Sequence, residues 1–175
     1  STISYSMMEK VISKGVCEDK VIYFPNWSDT EFVTPAVDGS RLKAEWGFRP
    51  NDKIVLYSGN IGNKQGLEVV LYAAKKLELH KELKFLFVGD GVYADTLKSM
   101  AKEQQLENVF FMPLQPWKRV PEMLALADIH LVVQKKGVAD AMMPSKLTNI
   151  LSVGGYALVT AEANTELGTV AEKFP

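Results

Sequence analysis

The sequence predicts an α/β protein built on a doubly wound, Rossmann-like parallel sheet. Short, continuous apolar runs recur along the chain, amphipathic helical patterns separate them, and turn-forming residues follow most runs. A strand that is buried on both faces is continuously apolar rather than alternating. Strands that alternate with helices indicate βαβ units with right-handed crossovers.

Six apolar runs are predicted to be strands, and they cover residues 21–24, 54–57, 85–88, 109–112, 129–133 and 156–159. Between them, apolar residues recur at helical spacing within residues 67–77, 93–100, 120–127 and 147–151. The last of these helices follows Pro144 and Ser145, which suit a first helical turn. In such a sheet, ligands bind beyond the carboxyl ends of the strands.

Composition excludes several classes of protein. The 175 residues suffice for one domain of about 100–200 residues. A net charge of −1 argues against a strongly basic nucleic-acid binder and an acidic disordered tail. The single cysteine, Cys17, cannot form an intrachain disulfide framework. No apolar run approaches the roughly 20 residues that span a bilayer, and no signal-peptide pattern is visible.

Both ends of the chain predict an excised domain. The sequence starts at Ser1 without a methionine, on a stretch that is typical of a helix, and ends just after another such stretch. We therefore expect this chain to be a piece of a longer protein, with little activity by itself.

The corner at residues 58–66 is the first candidate binding site. Gly59, Gly62 and Gly66 let the backbone approach a ligand closely, and the following helix start favours an anion. Lys64 adds a cation, so the corner suits a phosphate. A tight turn that needs glycine for geometry alone is an equal alternative. Neither a Walker A loop nor the dinucleotide fingerprint G-x-G-x-x-G occurs in the chain.

Two further corners follow later strands. Gly89-Asp90-Gly91 is typical of a simple turn. Lys135, Lys136, Asp140 and Lys146 surround the start of the helix after Pro144. Cations are unfavourable at a helix N-terminus, and a bound anion would relieve that conflict. An exposed, solvated loop is the alternative for Lys135 and Lys136.

The histidines, the cysteine and the tryptophans do not indicate a further catalytic or metal site. His80 is expected at the surface, His130 is expected to be a hydrogen-bonded core histidine, and no cluster has metal-ligand spacing. Cys17 has no neighbouring base. The three tryptophans are expected to pack or to anchor loops, although Trp117 could line a cleft.

The ordered set of corners resembles the family 4 glycosyltransferases, and within them the colanic-acid biosynthesis fucosyltransferase subgroup. The resemblance runs from about residue 6 to the end of the chain. The segments that carry it are Pro25-Asn26-Trp27-Ser28-Asp29, Tyr57-Ser58-Gly59-Asn60, Lys64-Gln65-Gly66-Leu67, Val88-Gly89-Asp90-Gly91, Asn108-Val109-Phe110-Phe111, Ala125-Leu126-Ala127-Asp128-Ile129 and Pro144-Ser145-Lys146-Leu147 with Gly154.

The resemblance implies a GT-B fold, in which two Rossmann-like domains face each other across a cleft. Residues 1–175 would be the C-terminal domain, which binds a GDP- or UDP-linked sugar, and the N-terminal acceptor domain would lie outside this chain. No metal and no further cofactor are implied. The implied donor-binding residues are Gly59, Asn60, Gly62, Lys64, Gln65, Gly91, Pro113, Leu114, Ser145, Lys146, Leu147 and Asn149.

This resemblance implies a hexosyltransferase-type enzyme of cell-surface polysaccharide biosynthesis, with a glycan or lipid-linked acceptor. Lys64 and Lys146 would stabilise the leaving diphosphate, and any general base would come from the acceptor side. Nucleic acid is not an expected partner. The expected location is the cytoplasm, with peripheral contact at the inner membrane face through the missing half.

Four charged positions of the family pattern are not matched in this chain. The family's loop arginine and lysine align with Asn60 and Gln65, and its second glutamate, a ribose ligand, aligns with Asn149, while the first falls near Ala141. These neutral residues motivate an alternative hypothesis, a non-catalytic scaffold or pseudo-enzyme with the same fold. A receiver-like or flavodoxin-like domain is a third hypothesis, and a receiver would require paired acids that this chain lacks after its first run.

Overall fold

The computed structural model describes residues 1–135, 143–163 and 165–173. Its centre is a five-stranded parallel sheet with the strand order β3-β2-β1-β4-β5. The strands are β1 (Lys53–Ser58), β2 (Leu83–Val88), β3 (Val109–Met112), β4 (Ile129–Val132) and β5 (Ala157–Val159). The predicted parallel sheet is therefore confirmed, and five of the six predicted runs form it.

Helices connect and flank the strands. They are α1 (Tyr5–Ile12), α2 (Ser40–Glu45), α3 (Glu68–Lys76), α4 (Ala94–Glu103), α5 (Val120–Ala125), α6 (Lys146–Ser152) and α7 (Glu166–Lys173). Within the described parts of the chain, no helix combines the length and the apolar character that crossing a bilayer requires.

Alternate side chains of each strand enter two separate cores. On β1, Ile54 and Leu56 pack with residues of α2, α5, α6 and α7 on one face of the sheet. Val55 and Tyr57 pack with residues of α3 and α4 on the other face. Both faces are therefore covered, which is why the strand runs are continuously apolar and why the fold is doubly wound.

The strand order locates a topological switch. From β1 the chain winds outward through β2 to β3, and it then returns to place β4 on the other side of β1. The helices that follow β1 and β4, α3 and α6, consequently pack on opposite faces of the sheet, which leaves a crevice at the carboxyl ends of these two strands. Open parallel sheets bind ligands at such a point.

The prediction of a strand at residues 21–24 is wrong. This segment is extended, but its only sheet-like contact in the described chain is an isolated bridge between Thr2 and Tyr23. Ile22 is 65% exposed and Phe24 is 60% exposed. An apolar run has the same pattern whether or not a sheet covers it, and only the tertiary structure separates the two cases.

Candidate functional site

A cleft of about 700 Å³ lies at the switch point. Its walls come from the ends of β1 and β4, the corner that follows β1, and the segment that begins α6. A smaller cavity of about 320 Å³ lies beside the residues that precede β4. There the Asp128 carboxylate already accepts hydrogen bonds from Lys53 Nζ and the Ile54 N–H, so the large cleft is the better candidate for a ligand site.

Lys146 places a cation on the wall of this cleft. Its Nζ lies 3.8 Å from the centroid of the Tyr57 ring, and 3.2 Å from the position that a Cβ on Gly59 would occupy. Among the described residues, no carboxylate lies within salt-bridge distance of it. Burial lowers the pKa of Lys146 to about 8, because the loss of solvent disfavours the charged form.

Tyr57 shapes the end of β1 beneath this lysine. The side chain is buried, and its hydroxyl donates a 2.7 Å hydrogen bond to the carbonyl oxygen of Asn60. Burial raises the pKa of Tyr57 to about 12, so the phenol stays neutral and remains a donor. Its ring face attracts the lysine ammonium, and its hydroxyl fixes the first turn of the corner after β1.

The corner after β1 is fastened to the corner after β2. The Gly59 N–H donates to the Val88 carbonyl at 2.9 Å, and the Ile61 N–H donates to the Asp90 carbonyl at 2.8 Å. This close approach requires glycine, because a Cβ on Gly89 would overlap the Gly59 carbonyl oxygen and one on Gly91 would overlap the Ile61 carbonyl oxygen. Both glycines also have positive φ angles, of 150° and 154°.

Carboxamides surround the middle of this corner. A Cβ on Gly62 would lie 3.0 Å from Gln65 Oε1 and 3.1 Å from Asn60 Nδ2, so this glycine leaves room for both side chains. Lys64 is exposed, and its carbonyl oxygen accepts a 3.1 Å hydrogen bond from the Lys135 N–H. The corners after β1 and β4 are thereby joined.

A side-chain cluster supports the same junction. The stem of Lys135 covers Gly66, and Lys135 Nζ lies 3.6 Å from Glu68 Oε1. The Tyr93 hydroxyl donates to that same oxygen at 2.8 Å. The Lys135 ammonium therefore has an acidic partner, which distinguishes it from the ammonium of Lys146.

Polar contacts bring an N-terminal segment, residues 26–28, to the α6 wall. Asn26 Nδ2 donates to the Met143 carbonyl at 3.2 Å. The Thr148 hydroxyl donates to the Ser145 carbonyl at 2.9 Å and also lies 3.4 Å from the Trp27 carbonyl. Ser28 Oγ donates to Asn149 Oδ1 at 2.6 Å. Trp27, which is 75% exposed, consequently lies on the cleft instead of packing in the core.

The structure brings together eight of the twelve residues that the resemblance implied. Those on the cleft are Gly59, Asn60, Lys64, Gln65, Leu114, Ser145, Lys146 and Asn149. Four others lie off its lining: Gly62 and Gly91 shape the corners, Pro113 is exposed, and Leu147 is buried in the core. The part that all twelve residues play in ligand binding stays a prediction. Lys136, Asp140 and Ala141 lie outside the described residues.

Sequence reasoning did not predict several residues of the cleft wall, and Tyr57, Trp27 and Gln134 are among them. Gln134 had a usable signal, because a polar residue that follows a buried strand faces the ligand side of a parallel sheet. Tyr57 had none, since an aromatic residue within an apolar run is typical of plain core.

The remaining titratable residues lie elsewhere. His80 is exposed, and the exposed Cys17 Sγ donates to Asp19 Oδ1 at 2.9 Å. His130 is buried as expected, but neither ring nitrogen has a hydrogen-bond partner in the described chain, which corrects the expected hydrogen bonding. Across the described ranges, no group of three His, Cys, Asp or Glu residues could hold a metal ion.

Comparisons with known proteins agree with this geometry. The family model described as glycosyl transferases group 1 matches residues 38–174. A protein of Escherichia coli (strain K12) described as the colanic acid biosynthesis glycosyl transferase WcaI is 51% identical over all of this chain, which spans 43% of that protein.

Solved structures share the fold. The Anabaena protein Alr3699/HepE, crystallised with UDP and glucose, superposes with a TM-score of 0.75 at 16% identity, over 98% of this chain and 52% of that one. A glycosyltransferase of Rickettsia africae superposes with a TM-score of 0.75 at 13% identity, over 98% of this chain and 51% of that one. The chain thus spans about half the length of these relatives, or less.

Proposed function

The chain belongs to the glycosyl transferases group 1 family, and we propose that it is the donor-binding domain of a hexosyltransferase of cell-surface polysaccharide biosynthesis. It binds a nucleoside-diphosphate sugar, and the whole protein transfers the sugar to a glycan or lipid-linked acceptor. Support comes from WcaI, whose description refers to colanic acid biosynthesis, and from HepE, which was crystallised with UDP and glucose.

The single observation that carries the proposal is the ammonium of Lys146, which has no carboxylate partner among the described residues. It lies on a cleft at the switch point of a parallel sheet, where a phosphate-bearing ligand is expected. The described lining holds two lysines, Lys64 and Lys146, and no carboxylate. Such a wall attracts a diphosphate and repels no part of it.

The chemistry of this domain is stabilisation of the leaving group. Negative charge grows on the diphosphate as the glycosidic bond breaks, and a preorganised cation there lowers the barrier. Lys146 lies over the ring of Tyr57, and the missing side chain of Gly59 leaves room for its ammonium, so it needs little reorganisation during the reaction. The described lining offers no carboxylate or histidine, and any general base would come from the absent domain or the acceptor side.

The experiment is a calorimetric titration of the chain with UDP, GDP, ADP and their monophosphates, with and without magnesium. We expect one diphosphate to bind in preference to its monophosphate. Lys146→Met keeps the length of the stem and removes the charge, and it should weaken binding about 10- to 100-fold. Lys102→Met, on an exposed lysine of α4, is the matched control. Absence of diphosphate binding, or equal binding by Lys146→Met, would contradict the proposal.

The second candidate function is a non-catalytic scaffold of the same fold. The neutral residues Asn60, Gln65 and Asn149 at positions where the family pattern is charged favour it. Sugar transfer by the full-length protein discriminates the two functions. Loss of transfer with Lys146→Met, while the protein stays folded, supports the enzyme; unchanged cellular function supports the scaffold.

A further inference from the structure

Two carboxamide oxygens on the cleft have no donor. Gln65 Oε1 and Gln134 Oε1 are both buried, and neither accepts a hydrogen bond from any described residue. Both side chains line the cleft. Buried polar atoms in folded proteins are nearly always paired, so an unpaired acceptor beside a ligand cleft indicates a donor that arrives with the ligand.

The two glutamines belong to one small region. The main-chain hydrogen bond from the Lys135 N–H to the Lys64 carbonyl joins their two corners. Gln65 directly follows Lys64, and Gln134 directly precedes Lys135. The pair therefore flanks the point where the loops after β1 and β4 meet.

Three main-chain donors beside the two glutamines are already used. The Gln65 N–H donates to the Gly62 carbonyl at 3.4 Å, and the Gln134 N–H donates to Thr160 Oγ1 at 3.0 Å. The Lys135 N–H is engaged by Lys64. None of these three groups can satisfy the two carboxamide oxygens without breaking a bond that holds a corner.

The chemistry of the missing partner follows from the acceptor atoms. A carboxamide oxygen accepts hydrogen bonds, so phosphate oxygens, which are acceptors as well, do not fit it. Hydroxyl groups fit it well. The lysines of the same cleft suit the diphosphate, and the glutamines suit the polyhydroxyl parts of a nucleotide sugar.

We propose that Gln65 and Gln134 form a hydroxyl-recognition pair that accepts hydrogen bonds from hydroxyl groups of the nucleotide-sugar donor. This inference rests on the proposed function and adds selectivity to it. A site built to bind a hydroxyl discriminates strongly against an analogue that lacks one, because its buried acceptor is then left unpaired. The hydroxyls belong either to the transferred sugar or to the ribose, and the test separates these sources.

The test compares the wild-type chain with Gln65→Met and Gln134→Met by calorimetry. Met keeps the side-chain length and removes the polar atoms. Gln104→Met, on an exposed glutamine directly after α4, is the control. The ligands are UDP, GDP, their 2′-deoxy analogues, UDP-glucose, UDP-galactose, GDP-mannose and GDP-fucose. Unchanged thermal unfolding of each variant verifies that it is folded.

If the pair reads the transferred sugar, each Met variant binds the preferred nucleotide sugar about tenfold more weakly and binds the bare diphosphate normally. If the pair reads the ribose, each variant binds the bare diphosphate about tenfold more weakly, while the 2′-deoxy diphosphate binds the variants and the wild type equally.

If both Met variants bind every ligand as tightly as the wild type does, the hydroxyl-recognition pair is overturned. If Lys146→Met still binds the diphosphate more weakly in that case, the proposed function stays intact. Loss of affinity in only one variant would overturn the pairing. Failure of the wild type to bind any diphosphate would instead overturn the proposed function, and this inference with it.

Discussion

At the scale of single residues, Lys146 is the most informative group in the molecule. Its ammonium rests on the ring of Tyr57 and has no carboxylate partner within the described chain. A structural lysine would be paired or fully solvated. Lys146 is neither paired with a described carboxylate nor fully solvated, which is typical of a group selected for binding rather than for stability.

The first prediction concerns protons. Free Lys146 has a pKa of about 8, and a bound diphosphate raises the pKa because it stabilises the charged form. Binding near pH 8 should therefore take up protons, and affinity should fall as the pH rises above 8. Calorimetry in two buffers of different ionisation enthalpy measures the uptake. Lys146→Met should show none, and proton-neutral binding by the wild type would refute this role.

The second prediction concerns stability. Lys146→Met removes a partly buried cation that has no carboxylate partner among the described residues, and it keeps an apolar stem, so the free energy of unfolding at pH 7 should rise by about 1–2 kcal/mol. Urea denaturation measures it, with Lys102→Met as the control that should change nothing. A clear loss of stability in Lys146→Met would show that the lysine is part of the scaffold.

At the scale of elements, the corners after β1 and β2 act as one unit. Gly59 and Gly89 bring the two backbones into contact, and main-chain hydrogen bonds on either side hold them there. The position of the cleft wall after β1 thus depends on a glycine of the neighbouring corner. The simple turn expected at residues 89–91 is in fact the support for that wall.

Gly89→Ala tests this coupling. The new Cβ meets the Gly59 carbonyl and also strains a positive φ angle, so the free energy of unfolding should fall by about 2–4 kcal/mol. Gly47→Ala is the matched control, because Gly47 also has a positive φ, of 81°, but open space around its Cβ position. That variant should lose only about 1 kcal/mol. Equal losses in urea denaturation would mean that backbone strain alone explains the effect.

At the scale of the whole molecule, the sheet separates two cores, and one of them includes a buried titratable group. His130 on β4 pairs with Leu56 of β1 and Ala157 of β5, and its ring lies against Gly155. Burial lowers the pKa of His130 to about 4. The neutral ring is compatible with the folded state, whereas the charged ring is not.

The acid stability of the whole domain should depend on this residue. The unfolded chain protonates the histidine near pH 6.5 and the folded chain only near pH 4, so stability falls as the pH drops from 6.5 to 4. The loss is at most about 3 kcal/mol. Urea denaturation between pH 6.5 and pH 4 should show that the free energy of unfolding of His130→Leu depends less steeply on pH than that of the wild type. His80→Gln, at an exposed position, should keep the wild-type slope.

The sequence by itself determined the α/β class, the five sheet strands and the helices between them. Each of these signals lies within a few consecutive residues: an apolar run, a helical repeat, or a glycine after a strand. The family also followed from the order of such local motifs. Residues 21–24 show the limit, since the same local signal arose there without a sheet to cover it.

Only the tertiary structure decided which residues share the cleft and in what state. The environment of Lys146 is set by Tyr57 and Gly59, and Gln65 and Gln134 are brought to the same region by the junction of two loops. These partners lie far apart along the chain. Burial, and the lack of a counter-charge among the described residues, are properties of the assembled neighbourhood, so no local pattern in the sequence encodes them.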